Sequence, residues 1–167
     1  MRIAAPLLVL TSLAALLCGC GKSQETGQTG ETTTPAASSA PAPTPDQVKA
    51  MLASLPPPYS TGDIANGQTK FGQCRACHTP EQGGPNMTGP NLWGVFGRKA
   101  GSLDGFNYSD GLKNSGIVWD AAKIDQWIAD PRAVVPDTRM SFLGLKDPKD
   151  RVDVVAYLKT VTSPPPQ

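Results

Sequence analysis

Residues 74–78 read Cys-Arg-Ala-Cys-His, and this stretch holds two of the chain's four cysteines and its single histidine. On a helical turn, cysteines three apart project to one side with His78 beside them, which is the attachment spacing of a c-type haem. The two thiols would add across the vinyl groups of the porphyrin, and the imidazole would meet the iron from the same face. Other uses of the pair fit less well. A structural zinc site takes four ligands, and beyond residue 20 the chain offers only these two cysteines and this histidine. A thioredoxin-like pair expects a βαβ setting, whereas no alternating strand pattern persists along the chain. A disulfide stays open in an oxidising compartment, but it gives no reason for His78 to follow directly.

A planar prosthetic group would also answer a shortage. From Thr61 to Val161 the sequence supports only three or four short helices between long loops rich in Gly and Pro, such as residues 81–106. Gly62 to Gly72 has Ile64, Gly67 and Phe71 on one side. Asp120 caps a second helix over 121–129 with Ile124, Trp127 and Ile128 inward and Pro131 beyond its end. Asp147 and Pro148 open a third, with Val154, Val155, Leu158 and Val161 as its apolar stripe. Domains with so little apolar mass need a staple, and a buried porphyrin would serve as one.

The N-terminal third has a different character. Residues 1–19 carry one Arg and an unbroken apolar run from Ile3 to Leu17, the build of an export signal. A run of 15 residues falls short of the roughly 20 that a membrane span needs. Leu17, Cys18, Gly19 and Cys20 match a lipoprotein pattern in which Cys20 becomes the acylated first residue; a plainly secreted protein cut near Cys20, or an uncleaved apolar anchor, are the alternatives. Residues 20–60 read as a flexible Ser/Thr/Ala/Pro-rich tether, too poor in large apolar groups to offset its ordering entropy. Within it, Thr44, Pro45 and Gln47 mark the start of a short amphipathic helix at 45–55 carrying Val48, Met51, Leu52 and Leu55, ended by the prolines at 56–58. The domain is expected over 61–161, and 162–167 is a Pro-rich tail.

Charge narrows the partners. The formal net charge is +1, and Lys and Arg alternate with Asp along the chain, so no basic face is available for nucleic acid.

If His78 is one iron ligand, the opposite position is empty or filled. There is no second histidine, which leaves methionine. Met1 leaves with the signal, Met51 sits in the tether, and Met87, nine residues past His78, is poorly placed to reach across the ring. Met140 remains, although composition alone is equally consistent with a core-filling role for it.

The stretches GDIANGQTKFGQCRACHT, TGPNLWGVFGRKAG, GFNYSDGLKNSGIVW, WIADPRAVVPDTRMSF and DRVDVVAYLKT together resemble class I cytochrome c of the mitochondrial and alphaproteobacterial type. The resemblance implies an all-α fold, about four to five short helices and long loops wrapped around one covalently attached haem c. It implies thioethers at Cys74 and Cys77, His78 and Met140 as axial ligands, and the Pro90 carbonyl as acceptor for the other imidazole N–H. Tyr108 and Trp119, with Arg98 behind them, would receive the propionates. Thr138 would belong to the loop presenting Met140, Phe142 would shield the haem edge, and Gly67 and Phe71 would pack on Val154 and Tyr157. Two positions depart from the family. Trp127 stands where relatives have a tyrosine whose hydroxyl reaches the methionine sulfur, which puts that contact in doubt, and Leu112 replaces an asparagine of an internal water network.

The same resemblance implies a one-electron carrier and not an enzyme, with both iron positions filled and no small-molecule substrate. It would be a monomer, lipid-anchored through Cys20 on the periplasmic side of a bacterial membrane. It would dock transiently with a quinol:cytochrome c reductase and with a terminal oxidase or other reductase. From Thr61 onward 12 basic residues face 11 acidic ones, so long-range steering should be weak. The alternatives are a peroxidase or gas-binding sensor with a labile Met140, or a fixed cytochrome subunit holding a larger complex through Val48, Met51, Leu52 and Leu55.

Overall fold

Asp, Ser and Thr side chains decide where the helices begin. The structure, a computed structural model, describes residues 42–166; the expected export signal over 1–19, the acylated Cys20 and the tether as far as residue 41 lie outside them. The elements are α1 (Pro45–Ala53), a single 3-10 turn (Tyr59–Thr61), α2 (Ile64–Phe71), α3 (Asp110–Asn114), α4 (Ala121–Ala129), α5 (Pro131–Val134) and α6 (Pro148–Val161). Asp63 accepts the Ala65 and Asn66 N–H groups and so starts α2 at residue 64, two residues later than its flanking glycines suggest. Asp120 caps α4 through the Lys123 N–H, and Asp147 caps α6 through the Lys149 N–H. Among the described residues the only extended pairing is an isolated bridge between Lys99 and Val118.

Two elements exceed the sequence expectation. Pro131 follows α4, yet α5 starts there, because Asp130 turns its carboxylate to the Arg132 and Ala133 N–H groups. Proline fits the first position of a helix, where its missing N–H would have no partner. α3 is one further short turn, capped by Ser109.

The packing centres on α6. α2 crosses it so closely that a Cβ on Gly67 would lie 2.8 Å from the Tyr157 Cβ and against the Asp153 backbone. The Phe71 and Tyr157 rings meet at 5.4 Å between centroids. Asp153, 2% exposed, ties the crossing by accepting the Asp63 N–H at 2.8 Å, Asn66 Nδ2 at 2.7 Å and Lys149 Nζ at 2.6 Å.

α1 and the 3-10 turn also pack on α6, so the packed body starts ahead of residue 61. Thr44 and Gln47 form a reciprocal capping box. Met51, Leu55 and Tyr59 are buried; the Tyr59 hydroxyl donates to Asp125 at 3.0 Å, and Asp125 also pairs with Arg151 of α6. Met51 of α1 and Leu55 just past its end are therefore spent on the chain's own body, with Leu52 partly buried against the same core. With cover on both sides, α6 is buried almost all round its middle turns, Val154, Val155 and Ala156 having no exposed surface. No helix among the described residues is long and apolar enough to cross a membrane.

Candidate functional site

α2 ends at Phe71, and the chain winds on through Cys74, Cys77 and His78 in turns. The Cys77 and His78 N–H groups both donate to the Cys74 carbonyl, at 3.0 and 2.9 Å. That closes residues 74–78 into one turn, and both sulfur residues and the imidazole border a single cavity of about 270 Å³. Its walls are mainly apolar: Leu92, Val95, Leu112, Ile124, Ile128, Val154 and Leu158, with the rings of Phe71, Trp119 and Trp127. The loop between α5 and α6 contributes Thr138, Met140 and Phe142 to the same lining. Every residue expected at the cofactor, including Pro90, Arg98 and Tyr108, borders this one space.

His78 is fixed by its surroundings. Its Nδ1 lies 2.7 Å from the Pro90 carbonyl, which can only accept, so Nδ1 carries the proton and Nε2 keeps its lone pair. Burial pushes the imidazole below its ordinary pKa, against a smaller upward pull from Pro90, and the ring is neutral at physiological pH. Gly89 lies against the ring: a Cβ there would stand 2.7 Å from both ring nitrogens. Asn91 braces the loop behind, its Nδ2 donating to the Thr79 carbonyl, the Thr79 hydroxyl and the Glu81 carbonyl at 3.0, 2.7 and 2.9 Å.

The cysteine sulfurs are not joined to each other. Burial, and secondarily Cys77, raises the Cys74 thiol to about 11.

Met140 is held from two directions. Its N–H donates to the Thr138 hydroxyl at 3.2 Å, and its sulfur accepts the indole N–H of Trp127 at 3.2 Å. The contact left in doubt by the loss of a tyrosine hydroxyl is thus made by a different donor. Trp127 is itself packed edge-on against Trp119, centroids 5.4 Å apart. Met87, by contrast, is 47% exposed and does not border the cavity.

At another part of the lining, Arg98 donates to the Trp93 and Asn91 carbonyls at 3.0 and 3.1 Å. It has no carboxylate partner among the described residues. Burial lowers its pKa and raises that of Tyr108, which lies within electrostatic reach of it. A half-buried cation without a counter-charge suits a ligand that brings its own anions. A bound group that fits this lining is flat and largely apolar, with acidic substituents near Arg98 and a metal that accepts an imidazole nitrogen and a thioether. Haem meets each requirement, and among the described residues no cluster of His, Cys, Asp or Glu competes as a simple metal site.

Gly89 and Asn91 are absent from the sequence expectation. Gly89 directly precedes the Pro90 whose carbonyl holds His78, a juxtaposition that could have flagged it; Asn91 gives no signal, since its three acceptors depend on the fold.

A Cytochrome c family model matches residues 64–162. Cytochrome c2 of Rhodomicrobium vannielii is 50% identical over 105 residues, covering 61% of this chain and 82% of that protein. Cytochrome c2 iso-2 of Magnetospirillum fulvum is 47% identical over 97 residues, covering 58% of this chain and 100% of its own length. Among solved structures, cytochrome cH from Methylobacterium extorquens superposes with a TM-score of 0.56 at 50% identity, covering 59% of this chain and 99% of that one. The family match begins at Ile64, so α1 and the 3-10 turn lie outside it.

Proposed function

The chain belongs to the cytochrome c family, class I, and on that premise we propose that it carries single electrons with His78 and Met140 as axial ligands, anchored through Cys20 on the periplasmic side of a bacterial membrane. It is an electron-transfer protein and not an enzyme, and the family implies a covalent haem c, for which Cys74 and Cys77 are suitably positioned. When bound, that group supplies a one-electron iron couple whose potential is raised by His/Met ligation.

The chain's own residues do the rest. Cys74 and Cys77 fasten the group by thioethers. Pro90 locks the tautomer of His78 so that Nε2 keeps its lone pair for a metal, and Trp127 engages one lone pair of the Met140 sulfur and leaves the other for the same purpose. Arg98, Tyr108 and Trp119 receive the propionates. Leu112, Ile124, Ile128 and Val154 exclude water, so a change of charge at the centre meets walls that barely rearrange. With imidazole and thioether both engaged, no position is left for a substrate. The export signal over 1–19 and the tether from residue 20 would keep the domain near its partners at raised local concentration. Those partners are a quinol:cytochrome c reductase and a terminal oxidase or other reductase, met through small transient contacts.

The observation that carries this reading is that a neutral, tautomer-fixed His78 and a sulfur held by an N–H donor border the same apolar cavity as Cys74 and Cys77. Intact mass and visible spectra of the mature protein test it. One covalent haem, acyl chains on Cys20 and a reduced form that resists carbon monoxide are expected; a folded but colourless protein would refute it.

A further inference from the structure

Met140 sits in a loop without regular structure between α5 and α6, residues 135–147. Three residues before it, Asp137 reaches across to the start of α3. Its Oδ2 accepts the Gly111 N–H at 2.8 Å, and the buried Ser109 hydroxyl points at its Oδ1 from 3.4 Å. Ser109 meanwhile caps α3 by accepting the Leu112 N–H at 3.3 Å. Arg139 adds a second stitch between the same two segments, donating to the Asn107 carbonyl at 3.0 Å.

Position 111 shows how close this approach is. Gly111 lies inside α3, where alanine is the better helix former. A Cβ there would nevertheless collide with the Asp137 carboxylate, its Cγ being 2.6 Å away. The glycine serves the contact at the expense of the helix.

We propose that Asp137 is a positioning residue, a clasp that fastens the Met140 loop to the first turn of α3 and depends on the absence of a side chain at Gly111. The bond is charge-assisted and reaches an N–H that the helix itself leaves without a partner. Local opening of the loop has to break it. The effect on iron ligation rests on the assignment of Met140 as the distal ligand; the effect on the loop does not.

The test uses the full holoprotein with Asp137→Ala, Asp137→Asn, Gly111→Ala and the double alanine variant. Two quantities are read: amide hydrogen exchange at Thr138 and Met140, and imidazole binding to the ferric iron. Asp137→Ala and Gly111→Ala should each speed exchange and tighten imidazole binding by about tenfold, since the open fraction rises in proportion to the bond lost. Asp137→Asn, which keeps one acceptor, should fall between. The double variant should do no more than either single one, because both break the same contact. Gly111→Ala that slows exchange or leaves it unchanged, as helix propensity alone would require, overturns the clasp. Faster exchange with unchanged imidazole affinity upholds the clasp and rejects Met140 as the ligand.

Discussion

The turn carrying His78 and the loop carrying Met140 border one cavity but are held by different kinds of bond. Around His78 the chain is closed by its own backbone: Cys77 and His78 donate to Cys74, the Gly89 N–H donates to the Cys77 carbonyl at 2.8 Å, and the Pro90 carbonyl takes the ring. Behind that turn, α2 lies in backbone contact with α6. The Met140 loop is fastened mainly by side chains, those of Thr138, Asp137, Arg139 and Trp127. Backbone-closed segments packed on a core tend to open only with the whole fold, whereas a loop tied by side chains can open alone. The His78 side should therefore be the rigid half of the site and the Met140 side the adjustable one.

The comparison breaks first, if it is wrong, at Gly89. A methyl group there has no space beside the imidazole, so Gly89→Ala should cost about 1–3 kcal/mol and cut the yield of correctly ligated protein, as read by thermal unfolding and visible spectra.

Asp153 comes next, because it ties the helix that precedes the His78 turn. Burial alone would raise its carboxyl, but Lys149, Asn66 and the Asp63 N–H hold it below the usual range. The folded state thus binds this proton more weakly than the unfolded chain. Its contribution is complete above the ordinary Asp pKa of about 3.9 and is lost as pH falls through the lower folded value. Asp153→Asn should cost about 1–2 kcal/mol at neutral pH and flatten the acid limb of a stability–pH curve, while a limb unchanged in slope would contradict the assignment.

On the adjustable side, Trp127→Phe removes the N–H donated to the Met140 sulfur. More sulfur density is then available to ferric iron, and the midpoint potential should fall by up to about 40 mV, the equivalent of a bond worth about 1 kcal/mol. A rise would mean that the indole does not act through the sulfur. The smallest effect belongs to the exposed Arg75–Glu81 pair: Glu81→Gln should change stability by less than about 0.5 kcal/mol, since the Glu81 backbone carbonyl, not its carboxylate, meets Asn91.

Much of this arrangement is legible in the sequence for local reasons. A capping side chain and the N–H that donates to it lie within three residues, so Thr44, Asp120 and Asp147 announce α1, α4 and α6, and the Cys74–His78 spacing announces the attachment turn. α3 and α5 are too short to show a period. The packing of Tyr59 is hidden because a run of prolines beside a polar stretch looks like linker, and its partner Asp125 is 66 residues away. The indole–sulfur contact spans 13 residues and uses a donor that the family comparison does not suggest. Long-range partnerships of this sort require the fold before they can be seen.

The most direct test of the account is proton NMR of the reduced holoprotein. A methionine methyl seated over a porphyrin is shifted far upfield by the ring current, so one three-proton signal should stand outside the protein envelope and vanish in Met140→Leu. A parent spectrum without that signal, or one in which it survives the substitution, would contradict the ligation on which the account depends.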